Sequence, residues 1–234
     1  ADLNVAVNGA LMANFYSQGE VCSNASKVLV HDLLIDEFRE RILAATNAIP
    51  IGDPLDEKTR MGALISEEHL LKVKKLIDDA RKMGATVLCG GERVIVEGLE
   101  GGFYLGPAII EGVNSTMQIY KEEVFGPVMM LIPFKTFEQA IEIANDTPYG
   151  LAAGIFTNDL NIAYRAACRL RAGNIYVNTY NDTNTMVPFG GMKQSGFGRE
   201  NGVAALEAFS QIKSVFVNAS KKLDNPFLVP SGVS

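Results

Sequence analysis

Apolar residues recur along this chain at two periods, and the switches between them lay out an alternation of helices and strands. Residues 5–15 carry apolar side chains at amphipathic-helix spacing and stop at the Ser17-Gln18-Gly19 turn; residues 28–31 then read as a short buried strand. Residues 36–48 form a helix stopped by Pro50, followed by the turn-rich stretch 52–56. Ser66 has the chemistry of a helix cap, with Glu67 and Glu68 in the first turn and Arg81 and Lys82 in the last, each well placed on the helix dipole. Leu70, Val73, Ile77 and Ala80 share one face of that helix, and Gly84 ends it. Strands are expected near 86–88, 104–110, 128–133, 152–156 and 174–178, with helices over 137–145 and 160–171; Thr136 and Gln139 have capping-box spacing. Strands separated by helices of this length predict an α/β fold, a mostly parallel sheet with helices on both faces. Residues 179–200, rich in Gly, Asn and Ser, are too long for a bare connection and mark a functional loop. A short helix over 202–209, an apolar strand over 213–217 and a weakly ordered tail over 219–234 complete the pattern.

Composition narrows the function classes. The 234 residues are 47% hydrophobic, enough for a packed core. A net charge of -6 and a pI near 5.1 argue against a nucleic acid or an anionic membrane as partner. No apolar run approaches the roughly 20 residues needed to span a bilayer. Three cysteines, an odd number without framework spacing, point to a reducing, cytoplasmic setting. The chain opens on Ala1-Asp2-Leu3 with no methionine, basic leader or cleavage-like segment, and enters a helix at once, which reads as a fragment or an internal boundary.

Cys22 lies in the connection between the first helix and first strand, after Gly19. A thiolate in a glycine-containing turn can leave its own backbone amide facing a developing oxyanion, so Cys22 is the leading nucleophile. The residue pattern leaves open that it is simply buried. Cys89 reads as core. Cys168 competes, since Arg165, Arg169 and Arg171 could lower its pKa, although a solvated helix face accounts for the same arginines. Of the two histidines, His31 ends a strand and His69 opens a helix, where a surface role is the default; neither spacing suggests a Cys/His hydrolase, and no cluster has zinc spacing. Glu122 and Glu123, ahead of Phe125-Gly126-Pro127, could bond ribose hydroxyls or be solvated. The glycine-rich run 190–200 does not directly follow a predicted strand and reads as a structural loop, not a phosphate cradle.

Six segments in register, from Ala1 to about Asn218, resemble the aldehyde dehydrogenase superfamily. They are Gly19-x-x-Cys22, Gly52-Asp53-Pro54-Leu55-Asp56, Glu122-Glu123-Val124-Phe125-Gly126-Pro127-Val128, Asn145-x-x-Pro148-Tyr149-Gly150-Leu151, Val177-Asn178, and Pro188-Phe189-Gly190-Gly191-x-Lys193-x-Ser195-Gly196-x-Gly198-Arg199-Glu200. The wording of Asn178-Thr179-Tyr180-Asn181 and Gly198-Arg199-Glu200-Asn201-Gly202 leans toward the betaine aldehyde and trimethylaminobutyraldehyde branch. The resemblance implies that Cys22 attacks an aldehyde to give a thiohemiacetal, that hydride passes to NAD, with NADP left open, and that water hydrolyses the thioester. It implies that Glu123 holds the nicotinamide ribose, Phe125 packs beside the ring and Glu200 belongs to a proton relay. Asn181, Thr183 and Phe189 match substrate-tunnel positions, with Tyr180 as an added aromatic wall.

On the same resemblance, residues 1–200 are the catalytic domain and 201–218 a C-terminal helix and oligomerisation strand of a homo-oligomer. The family's phosphate-binding segment, oxyanion asparagine and general-base glutamate belong to a nucleotide-binding half that precedes Ala1 and is absent from this chain. The strand over 213–217 is then an unpaired apolar edge. Glu20 stands where glutamine is usual, Lys27 where arginine is usual, and Gly62-Ala63 where Gly-Pro is usual; Lys27 should keep the charge without a bidentate contact. Two other functions compete: a non-catalytic protein retaining the fold for binding or structure, and a thiol esterase without a redox step. Cys22 speaks against the first, and Glu123 with Phe125 against the second.

Overall fold

Helix α1, Leu3–Phe15, starts where the Asp2 carboxylate accepts from the N–H groups of Asn4 and Val5. The computed structural model describes residues 1–227. Burial along α1 follows helical spacing through Ala6, Val7, Ala10 and Ala13, but its composition is not amphipathic: Val5 and Met12 face outward while Asn14 is fully buried. There follow β1 Lys27–His31, α2 Ile35–Asn47, α3 Glu67–Lys82, β2 Thr86–Cys89, β3 Ala108–Glu111, the single turn α4 Gln118–Lys121, β4 Val128–Phe134, α5 Phe137–Asn145, β5 Ala152–Ile155, α6 Leu160–Arg169, β6 Asn174–Val177 and the short α7 Ala204–Ala208. Among the described residues no helix is long and apolar enough to cross a membrane.

The main sheet has the order β1-β4-β3-β2. β1 and β3 both run parallel to β4, and β2 closes one edge antiparallel to β3. Alternation of side chains sorts its core into two layers. Ala108, Ile110, Val128 and Met130 pack with Leu70, Val73, Leu76 and Ile77 of α3, whereas Ile109, Met129 and Leu131 pack with Ala6, Val7 and Ala10 of α1 and Phe38 and Ile42 of α2. Both faces are covered, so β4 is apolar without alternation over its first five residues.

Three expectations need correction. The strand near 104–110 begins only at Ala108: Tyr104 and Leu105 belong to a separate arm, where Leu105 bridges Arg93, and Pro107 has no N–H to donate. The parallel pair β5 and β6 forms a second sheet of its own. It is held to the first body by Phe156, whose ring rests on Gly9 of α1 where a methyl group would have no room, and by a small cluster of Ala13, Tyr176 and Tyr180. The strand expected over 213–217 is not formed among the described residues: the segment pairs with no other, so its backbone has no ladder partner, and Val215, Phe216 and Val217 are exposed. The final seven residues of the expected tail lie outside the described residues.

Candidate active site

The segments carrying Cys22 and Glu123 both enter the main sheet from its amino-terminal edge, ahead of the adjacent strands β1 and β4. After α1 the chain turns through a short 3₁₀ segment, Tyr16–Gly19, in which Ser17, Gln18 and Gly19 all have positive φ. Gly19, at φ 78°, lies flat on the Gly126 carbonyl; a Cβ there would collide with that backbone and come within 2.7 Å of Pro127 N. Gly126 in turn presses on Val73 of α3, where a Cβ would lie 2.8 Å from Cγ2. Backbone contact between two glycines therefore fixes the spacing of the cysteine loop and the Glu123 loop.

Cys22 is exposed, which answers the question of burial. Among the described residues its backbone N–H donates to no protein acceptor, so it is free to meet an oxyanion. Its neighbours are tied down: Asn24 Nδ2 donates to Gly19 O at 2.5 Å, Ala25 N to Ala13 O at 3.0 Å, and the Tyr180 hydroxyl to Ser23 O at 2.8 Å. Ser23 Oγ donates to Asn181 Oδ1 at 2.6 Å, leaving the buried Asn181 Nδ2 without a protein partner. Tyr180 is thus turned inward, its ring 5.1 Å from Tyr176, and braces the nucleophile loop from behind. Burial pushes the Tyr180 hydroxyl above its ordinary value. The Tyr176 hydroxyl is also raised, first by burial and then by the negative potential of Asp182.

Phe125 adopts φ 55° with its ring half in solvent. A bulky residue in the left-handed region costs on the order of 1–2 kcal/mol, so the surrounding contacts must hold it there. Glu123 stays accessible, but protein atoms crowd its carboxyl; that partial desolvation raises its pKa, with Lys72 of α3 pulling the other way. The Phe125 ring and the Glu123 carboxylate are thus both open to solvent on one loop.

Phe189 and Glu200 are joined to each other by a two-way backbone bridge, 2.8 Å in each direction. Among the described residues neither they nor the exposed Thr183 hydrogen-bonds to the cysteine loop. The run between them is a clamp, as expected of a structural loop: Lys193 Nζ donates to Thr147 O at 2.7 Å, Ser195 Oγ accepts from Gly150 N at 2.9 Å, and Met192 N donates to Gly150 O at 2.7 Å. Asn145 closes the same knot by bonding Arg169 O and Arg171 N. Two of the motifs thus exist to hold each other.

Cys168 is exposed on α6, but Arg165 and Arg169 are spent on the Phe137 ring and Glu138. Burial raises the Cys89 thiol, which makes it a poorer nucleophile. His69 was misplaced by its default surface role: its ring packs on Phe125 and Glu20. Its position four residues before Val73, on the flank of the core face, was the available signal.

The aldehyde dehydrogenase family model matches residues 1–215. The chain belongs to that family. The 4-trimethylaminobutyraldehyde dehydrogenase of Oryzias latipes is 49% identical over 218 residues, covering 92% of this chain and 43% of that protein. Betaine aldehyde dehydrogenase of Brucella melitensis is 46% identical over 97% of this chain and 46% of its own length. A crystal structure of betaine aldehyde dehydrogenase from Staphylococcus aureus in complex with NAD+ superposes with a TM-score of 0.94 at 37% identity, over 98% of this chain and 46% of that one. The chain therefore spans less than half the length of these relatives.

Proposed function

We propose that this chain supplies the nucleophile, the ribose grip and part of the substrate wall of an NAD-dependent aldehyde dehydrogenase. The observation that carries the reading is the exposed Cys22, with a free backbone amide, locked by Gly19 on Gly126 to the loop bearing Glu123 and Phe125. The Cys22 thiolate adds to the aldehyde carbon, and its own N–H donates to the oxygen that gains charge. Glu123 holds the nicotinamide ribose and Phe125 lies beside the ring; NAD, when bound, takes up the reducing equivalents. Glu200 carries protons toward solvent as water releases the carboxylic acid from the Cys22 thioester. Asn181, Thr183 and Phe189 line the approach, while Tyr180 supports Cys22. The names of the relatives suggest an aldehyde bearing a trimethylammonium group, and the carboxylate of Asp182, in the segment that bonds Ser23 through Asn181, would favour such a cation. Residues 1–200 act as the catalytic unit, and 201–218 as the element that joins a homo-oligomer.

Limiting iodoacetamide, read by peptide mass mapping, is expected to label Cys22 before Cys168 and Cys89. Preferential labelling of either of the others removes the nucleophile assignment. If the general base and the phosphate site lie in the half of the relatives that this chain does not span, the chain alone should form no measurable NADH, since loss of a general base by itself costs about 10²–10⁴-fold. Supplying a nucleotide-binding half from one of the relatives is expected to restore activity, and Cys22→Ala to abolish it.

A further inference from the structure

His69 touches both loops of the site from a third element. Its backbone N–H is held by the Ser66 cap at 3.1 Å, which fixes the imidazole at the start of α3. Nε2 lies 2.6 Å from Phe125 O and 3.7 Å from Glu20 Oε1, and the ring meets that of Phe125 edge-on at 6.3 Å. A carbonyl oxygen only accepts, so Nε2 carries the proton in this contact whether or not the ring is charged. Both side chains are well shielded, at 15% exposure for His69 and 11% for Glu20. The Glu20 carboxylate also accepts from Ile65 N at 3.1 Å and from Gln18 Nε2 at 3.2 Å, so it grips the strained turn before Cys22 and the segment leading into α3.

We propose that His69, acting with Glu20, is a positioning residue that locks the cysteine loop and the Glu123–Phe125 loop to α3 so that the two keep a common register. The physical need is plain at Phe125, whose left-handed backbone is held by the bond to its carbonyl on one side and by the Gly19–Gly126 contact on the other. Glu20 lies two residues before Cys22 with its carboxylate 3.7 Å from the same Nε2, beyond hydrogen-bond distance but close enough to polarise the N–H that Phe125 O accepts, so a disturbance of either loop passes to the other through one imidazole. This role rests on the reading of the two loops as nucleophile and ribose sites, but its test does not require turnover.

Two readouts on the purified chain report the loops separately: the alkylation rate of Cys22, and cleavage after Glu123 by a glutamate-specific protease. Alkylation of the half-buried Cys89 monitors the fold. His69→Leu is expected to change the Cys22 rate and to accelerate cleavage after Glu123, each by about 2- to 10-fold, the worth of one hydrogen bond, with Cys89 unchanged. His69→Gln, whose amide nitrogen can replace the Nε2 donor, is expected to restore both. Glu20→Ala is expected to accelerate cleavage after Glu123 in the wild-type background and not in the His69→Leu background. An effect of His69→Leu on one loop only, no rescue by glutamine, or a Glu20→Ala effect confined to Cys22 overturns the coupling. If His69→Leu also exposes Cys89, Glu20→Ala in the wild-type background decides: faster cleavage after Glu123 with Cys89 unchanged supports the coupling, and unchanged cleavage overturns it. Wild-type labelling that favours Cys168 would overturn the nucleophile assignment and leave the coupling to be judged by these ratios.

Discussion

Lys27 opens β1 with its ammonium over the Tyr120 ring, 3.4 Å from the centroid, while donating to Asp146 O at 2.7 Å. Burial outweighs the pull of Asp146, and Lys193 adds repulsion, so the pKa falls from 10.5 to about 8. Between those values the unfolded chain holds a proton that the folded chain has released, so this group makes stability rise with pH across the window. Tyr120, pushed up to about 12 by burial and by its bond to Asp146, acts in the opposite sense above its ordinary value of 10. Lys27→Met is therefore expected to flatten the rise in urea midpoint between pH 8 and 10; a wild-type midpoint that already falls over that range counts against the assignment. Sequence reading expected the charge at this position to be kept without a bidentate contact, and the single carbonyl contact agrees. The weakened charge was not legible, because it depends on a ring that arrives from far along the chain.

Helix α3 was the most legible element. Its Ser66 cap, acidic first turn, basic last turn and apolar face all appear as expected, because each depends on spacing within one helix. Ile77 is fully buried between α3 and the sheet, so Ile77→Ala is expected to cost about 2–5 kcal/mol through lost burial and a residual cavity. Ser66→Ala is expected to cost about 1 kcal/mol. Urea denaturation checks both, and equal losses would mean that the cap also holds His69 and the loops beyond it. Less legible was the stretch before β3, where β-prone residues on both sides of Gly106-Pro107 read as one strand although the backbone changes partner there.

Across the whole molecule, the covered and uncovered faces decide behaviour. The main sheet is sandwiched between helices, yet Ile212, Val215, Phe216 and Val217 lie in the open on a segment without ladder bonds. Apolar backbone with unmet donors and acceptors seeks another edge. The chain is expected to associate as its concentration rises in light scattering, and deletion after Gln211 to suppress this; a monomer at all concentrations, unchanged by the deletion, would remove the oligomerisation role proposed for 201–218. Helices on both faces of a parallel sheet were readable from alternation alone. The division into two sheets was not, because β5 and β6 have the same period and length as strands of a single sheet.

The sequence by itself determined most of the helices and strands, the Ser66 and Thr136 caps, the layered fold class and the family, since periodicity, capping chemistry and motif spacing are local or ordered along the chain. Only the tertiary structure decided that Cys22 is open, that Gly19 seats on Gly126, that Tyr180 faces inward toward Ser23 and that His69 belongs to the site. Each of these depends on segments far apart in the chain, with geometry set by how α1, α3, β4 and β6 pack; spacing within α3 marks His69 as flanking the core face, but not what it meets there.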